Sequence, residues 1–207
     1  MVKILGICGS PRIESTAYAV KEALRAAEAT GDVETELITL KGKKMNFCIH
    51  CNKCVREGKT TCTLWDDDIT PLLHKVHEAD GLIIGSPVYA MNMTPQLCTF
   101  LSRFRGTYVV LKDDQDYYAK QVGGAIAVGG TRNGGQENTI IAINNFYNTH
   151  GITPANGALC TYAGACVWSR DQGAKGAAED EVGLANCRRI GEKVAKMAKA
   201  LKGNAQL

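Results

Sequence analysis

Val2-Lys3-Ile4-Leu5-Gly6-Ile7-Cys8-Gly9-Ser10-Pro11-Arg12-Ile13-Glu14-Ser15-Thr16 decides the fold. A short apolar run ends in a Gly-Ser-Pro turn, and residues 16–29 follow with Ala17, Val20, Leu24 and Ala27 at helical spacing. A buried strand feeding a helix through a tight turn is the opening unit of a parallel α/β sheet. The pattern repeats downstream. Residues 33–40 read as a strand and 66–79 as a helix, with Asp residues where an N-cap belongs. Residues 81–85 form a buried strand ending at Ser86-Pro87, and 95–105 a helix. Residues 123–128 form a further strand, 136–150 a helix, and Ile152 opens a weaker strand region. Residues 181–202 close the pattern as an amphipathic helix. Five such units predict a doubly wound α/β sheet of order 2-1-3-4-5 in a single domain, residues 1–207. Two connections are long, 41–65 and 153–180. Long connections in compact domains tend to carry function.

The composition narrows the class. The chain has 207 residues, 45% hydrophobic and 22% charged, enough for one full core. The net charge of +3 is spread along the chain, so no basic block argues for nucleic acid. No apolar run is long enough for a membrane span, and the first residues lack the form of a signal peptide, so a cytoplasmic protein is expected. Nine cysteines are many for such a protein, and an odd number argues against a complete disulfide framework. In a reducing compartment, clustered cysteines more often bind metal or do redox chemistry.

The loop after the first strand suits an anion. Backbone N–H groups at a helix N-terminus, the hydroxyls of Ser10, Ser15 and Thr16, and the charge of Arg12 could together hold a monophosphate. The G-x-x-x-x-G-K-[ST] and G-x-G-x-x-G patterns are both absent. The plainer alternative is a Ser/Thr helix cap after a proline turn. After the third strand, Ser86-Pro87-Val88-Tyr89-Ala90-Met91-Asn92-Met93-Thr94-Pro95 offers a rigid ledge for a planar ring, while Thr94 and Pro95 suit a helix start. After the fourth strand, Gly129-Gly130-Thr131-Arg132-Asn133-Gly134-Gly135 lets backbone approach a ligand closely. All three loops fall at the carboxyl edge of the sheet, where such folds bind ligands.

These loops resemble the NADPH-dependent FMN reductase family, which has a flavodoxin-like fold. The resemblance implies FMN phosphate at Ser10, Arg12, Ser15 and Thr16. It implies flavin contacts from Pro87, Val88, Tyr89, Met91, Asn92 and Met93, and from Gly130, Thr131, Asn133, Gly134 and Gly135.

Cys48-x2-Cys51-x2-Cys54-x7-Cys62, within the insertion at about 41–66, is the sharpest signal. Four thiolates can saturate a cubane cluster, with Gly58 as the turn that brings back the fourth. Structural zinc more often uses two separated C-x-x-C pairs or a Cys/His mix, and His50 is expected to be exposed. Cys8, Cys98, Cys160, Cys166 and Cys187 are scattered and read as small core residues. The compact spacing resembles the iron–sulfur flavoproteins of anaerobic archaea and bacteria. That resemblance implies one FMN and one [4Fe-4S] cluster per subunit, in homodimers or homotetramers, with the cluster near flavin and often across a subunit contact. It implies a redox flavoprotein and FMN-dependent oxidoreductase that moves electrons between a ferredoxin-like carrier and an acceptor, with no catalytic side chain required. His74 and His77 are expected to be bystanders on a helix. Alternatives are a substrate-specific FMN oxidoreductase acting on a small-molecule acceptor, with residues 162–170 as a substrate wall; an NAD(P)H-dependent FMN or quinone reductase; and a zinc-stabilised binding protein.

Overall fold

Alternate residues of the first strand serve two different cores. Strand β1 (Val2–Cys8) buries Val2 and Ile4 against one helical layer and Leu5 and Ile7 against another. A strand covered on both faces belongs in the interior of a parallel sheet. The computed structural model describes residues 1–155 and 161–203. Helix α1 (Ser15–Glu28) leads to β2 (Val33–Thr39). A helical turn, α2 (Lys53–Arg56), then precedes α3 (Ile69–Glu78). Next come β3 (Gly81–Pro87), α4 (Pro95–Ser102), a 3-10 turn (Arg103–Thr107) and α5 (Tyr108–Leu111). The chain continues through β4 (Val122–Gly129), α6 (Gln136–Thr149), β5 (Thr153–Pro154) and β6 (Ala165–Trp168). It closes with α7 (Gly173–Ala178) and α8 (Glu181–Gly203).

All strand pairings are parallel, in the order β2-β1-β3-β4-β5. Helices α1 and α8 cover one face, through Val20, Leu24, Ile190 and Val194. Helices α3, α4 and α6 cover the other, through Leu73, Phe100 and Ile143. The expected flavodoxin-like order is therefore present.

The differences lie in the second half. The fifth position is split between two short strands. β5 pairs with the start of β4 at Val122 and Gly123, and β6 with its end from Ile126 to Gly129. Residues 153–180 thus hold two strands and α7 rather than a plain loop. The helix expected at 95–105 stops at Ser102, where the chain tightens into the 3-10 turn. Helix α3 has Asp68 at its N-cap position but no side-chain cap from it. Asp67 accepts the Ile69 N–H at 3.2 Å instead, and Asp68 is turned to the Lys44 N–H at 2.7 Å.

Candidate functional site

Three loops meet at the carboxyl edge of β1, β3 and β4, and backbone bonds knit them together. Gly9 N–H donates to Gly85 O at 2.8 Å, and Val88 N–H to Val128 O at 2.9 Å. Thr94 is the rivet. Its Oγ1 donates to Gly9 O at 2.6 Å and accepts the Leu97 N–H at 3.2 Å, capping α4 ahead of Pro95. The Thr94 N–H in turn donates to Ser86 Oγ at 3.1 Å.

The loop after β1 presents groups that suit an anion. No side chain caps α1, so the N–H groups of its first turn are left without intrahelical acceptors. Ser10 is buried, and its Oγ accepts the Arg12 N–H at 3.0 Å. Thr16 is buried, and its Oγ1 has no partner among the described residues. Such an orphan costs about 1–3 kcal/mol and is expected where a ligand oxygen belongs. Ser15 is half-buried at the head of the helix. Arg12 projects outward, 3.7 Å from Glu14. The Ser/Thr cap alternative is not what forms, because Glu14 occupies the N-cap position without capping.

The ring ledge is a reverse turn. Tyr89 and Asn92 exchange backbone hydrogen bonds of 2.8 and 2.9 Å, with Ala90 and Met91 both at positive φ. Two non-glycine residues held in the left-handed region imply strain of the kind concentrated at ligand clamps. The turn exposes Tyr89 by 42% and Met91 by 56%, while Val88 and Met93 lean partly on the core. Asn92 Oδ1 accepts the Met93 N–H at 2.8 Å. The glycine loop closes on this turn. Gly135 sits at φ 111°, and a Cβ there would lie 2.6 Å from Met91 Cα. Gln136, which sequence reasoning missed, braces the loop: its Oε1 accepts the Gly134 N–H at 2.8 Å and its Nε2 donates to Thr131 O at 2.6 Å. Asn133 takes a positive φ, and Gly130 O accepts the Trp168 Nε1–H at 2.9 Å. The guanidinium groups of Arg132 and Arg170 both lie over the Trp168 ring, 4.2 and 4.7 Å from its centroid.

The cysteine loop leaves β2 beside the phosphate loop, with Leu40 N–H donating to Cys8 O at 3.1 Å. His50 and Asn52 take positive φ, which curls the chain so that Cys48, Cys51, Cys54 and Cys62 line one cavity with Ile49, Leu64, Trp65, Arg103 and Arg105. Gly58 makes the expected turn at φ 63°. Burial pushes the Cys54 thiol up, and the neighbouring Cys62, Cys48 and Cys51 push it further. Among the described residues, no three His, Cys, Asp or Glu side chains converge on a single-ion position. The four sulfurs share a cavity wall instead. His50 is exposed, as expected. The buried Arg103 was not foreseen from sequence. Of the scattered cysteines, Cys8 and Cys187 are core residues, Cys166 is half-buried and Cys98 is exposed. Cys160 lies outside the described residues. His74 and His77 lie on α3, where the His77 ring packs 5.7 Å from that of Phe104 and its Nδ1 hydrogen-bonds the Tyr118 hydroxyl at 2.9 Å.

A family model for NADPH-dependent FMN reductase matches residues 2–163. An iron-sulfur flavoprotein of Methanocaldococcus jannaschii is 41% identical over 204 residues, covering 97% of this chain and all of that protein. One from Archaeoglobus fulgidus is 36% identical, covering 97% of this chain and 99% of that protein. Among solved structures, RosB superposes with a TM-score of 0.73 at 18% identity, over 98% of this chain and 81% of that one. An archaeal flavodoxin superposes with a TM-score of 0.57 at 16% identity, over 95% of this chain and 99% of that one. Those two likenesses speak for the fold alone. The interlocked loops and near full-length identity together place the chain in the NADPH-dependent FMN reductase family, among its iron-sulfur flavoproteins.

Proposed function

We propose that this flavin redox protein binds FMN at the three-loop edge and a [4Fe-4S] cluster at Cys48, Cys51, Cys54 and Cys62, and relays electrons between a ferredoxin-like carrier and an acceptor at the flavin. The observation that carries the reading is the orphaned Thr16 hydroxyl at an uncapped helix N-terminus, beside a loop whose four cysteines line one cavity. Phosphate oxygens would satisfy Thr16 Oγ1 and the N–H groups of the first turn of α1, with Ser10, Ser15 and Arg12 around them. Pro87, Val88, Tyr89, Met91, Asn92 and Met93 would support the ring from one side. Gly130, Thr131, Asn133, Gly134 and Gly135 would offer close backbone from the other. When bound, the cluster supplies single-electron exchange and the flavin couples it to two-electron chemistry. The chain's own part is to hold the two groups on neighbouring strands and to set their surroundings.

Charge supports an anionic, ferredoxin-like partner. Residues 41–65 carry Lys41, Lys43, Lys44, Lys53, Arg56 and Lys59 against Glu57, and of Asp66, Asp67 and Asp68, which follow, Asp67 is neutralised by the buried Arg103. Phe47 and Ile49 are exposed on the cysteine loop, and Tyr89 and Met91 on the ring ledge. Apolar side chains at this edge support a homodimer or homotetramer joined there. Among the described residues no helix is long and apolar enough to cross a membrane. Free thiols in this number suit the cytoplasm.

The test is anaerobic purification followed by a visible spectrum with iron, sulfide, zinc and flavin analysis. Flavin bands over a broad shoulder that bleaches on reduction, with roughly four irons per chain, support the reading. One zinc and no iron would refute the cluster, and colourless protein that does not take up added FMN would refute both halves. A substrate-specific oxidoreductase is the second reading, favoured by Trp168 with Arg132 and Arg170 over its ring at the rim beside Gly130. Fast flavin reoxidation by one organic acceptor, with no response to ferredoxin, would select it.

A further inference from the structure

Arg103 is a buried cation, and three of its five N–H donors are unused among the described residues. Its side chain is 1% exposed, and its ion-pair partner Asp67 is 0% exposed. Nη1 carries all of its observed bonds, to Asp67 Oδ2 at 2.7 Å and to Asn46 O at 2.8 Å. Nε and Nη2 are buried without a partner among the described residues. Leaving such donors unmet inside a protein is costly, and more so for a charged group. Asp67 is fully engaged. It also accepts the Asn46 N–H at 3.0 Å and the Ile69 N–H at 3.2 Å. Burial would raise its carboxyl, but Arg103 and these amides hold it below the usual carboxylate range. The guanidinium is thus gripped through one nitrogen, while the same side chain lines the cysteine cavity.

The neighbouring structure holds this placement. The 3-10 turn carrying Arg103 packs so closely on the cysteine loop that a Cβ on Gly106 would overlap the Thr60 carbonyl. Cys48 N–H donates to Ser102 Oγ at 3.1 Å. Arg105, the other arginine at the cavity, is already committed: its Nε donates to Asn52 Oδ1 at 3.0 Å, and its guanidinium lies over the Tyr108 ring at 4.8 Å.

We propose that Arg103 is the internal counter-charge of the cysteine-bound cluster, serving its sulfurs through Nε and Nη2 and raising its reduction potential, with Asp67 as the positioning residue that aims it. Four thiolates around a cubane leave a net negative charge, and reduction adds one electron and one more unit of it. A fixed cation in a low-dielectric wall therefore favours the reduced form, as do N–H donors to the sulfurs. The inference rests on the cluster reading above.

The experiment has two arms. In the first, protein labelled with 15N in the arginine guanidinium groups is reduced and its cluster signal recorded by electron–nuclear double resonance. A guanidinium coupling is expected in the wild type and in R105K, and is lost in R103K. In the second, the cluster midpoint is titrated in R103M/D67N, R103K and D67N, with the flavin midpoint as internal reference. R103M/D67N keeps the cavity neutral and lowers the equilibrium constant for cluster reduction at least about tenfold, which is about 59 mV for one electron. R103K falls part of the way. D67N moves the midpoint upward, because it removes a negative charge and leaves the cation. A purely structural arginine would instead lower cluster content in all variants while leaving the midpoint unmoved. Shifts of the same sign in D67N and R103M/D67N, or a wild-type cluster without guanidinium coupling, would overturn the proposal. Wild-type protein that takes up no iron would instead refute the cluster reading itself.

Discussion

Replacing Thr16 with valine should make the empty protein more stable and FMN binding weaker. Thr16 is 1% exposed on the first turn of α1, and its Oγ1 has no partner among the described residues. Valine keeps the β-branched shape and removes the hydroxyl. In the flavin-free protein, an unsatisfied buried hydroxyl costs about 1–3 kcal/mol, so its removal should recover about 1 kcal/mol or more. For a chain of this size each kcal/mol moves Tm by about 2–4 °C. In the FMN complex the same hydroxyl would donate to a phosphate oxygen. A hydrogen bond to a charged acceptor contributes about 1.5–3 kcal/mol, so its loss should raise Kd about 10- to 150-fold. The assay is thermal unfolding of flavin-stripped protein by circular dichroism, paired with FMN titration followed by flavin fluorescence. The two effects carry opposite signs, which general damage to the helix cannot produce. A lower Tm for flavin-free T16V, or an unchanged Kd, would refute the assignment of this loop to phosphate.

Gly135→Ala places a methyl group 2.6 Å from Met91 Cα at φ 111°, which forces the glycine loop off the ring ledge. Backbone strain of about 1–2 kcal/mol and overpacking of about 1–3 kcal/mol predict at least tenfold weaker FMN binding in a fluorescence titration, with iron content unchanged. Cys62→Ser should cut iron content sharply by ferrozine assay, whereas C98S, on an exposed cysteine outside the cavity, should leave it at the wild-type level. Burial, with His74 and His150 adding to it, lowers the His77 pKa from 6.5 to about 4. Its unfolded form therefore binds more protons between those values. The stability this contributes is complete above pH 6.5 and is lost as pH falls toward 4, by on the order of 2–3 kcal/mol. Urea unfolding at pH 7, 5.5 and 4 measures this, and H77Q should flatten the slope.

What could be read from the sequence was what the chain writes contiguously. β1, its turn and α1 are one unbroken stretch, and so are the ring ledge with its Thr94 cap and the four-cysteine run. The split fifth strand was hidden because β5 is two residues long and β6 is a four-residue Ala-Cys-Val-Trp stretch without clear alternation. Arg103 was hidden for a different reason. It sat inside a segment that reads as helix, and its partner Asp67 is 36 residues away and joined only by the fold. The Asp cluster at 66–68 marks the start of α3 in the sequence, but which aspartate serves the helix depends on the fold: Asp67 takes the Ile69 N–H through one oxygen and Arg103 through the other, while Lys44 claims Asp68. Gln136 was unreadable as a brace because its partners are backbone atoms of a loop whose shape local propensity does not specify.

Helix α8 imposes an order on the protein's assembly during synthesis. It packs along α1 so tightly that a Cβ on Gly191 would overlap the Ala23 carbonyl, and its Ile190 and Val194 cover β3 and β4. The part of that face which α1 does not cover lies open until the helix emerges from the ribosome. About 140 residues separate Cys62 from the end of α8. At 5–20 residues per second, the four thiols precede the closing helix by roughly 7–28 s. Under the cluster reading, iron and sulfide would therefore have a window in which to reach the cysteine loop before α8 locks the sheet behind it.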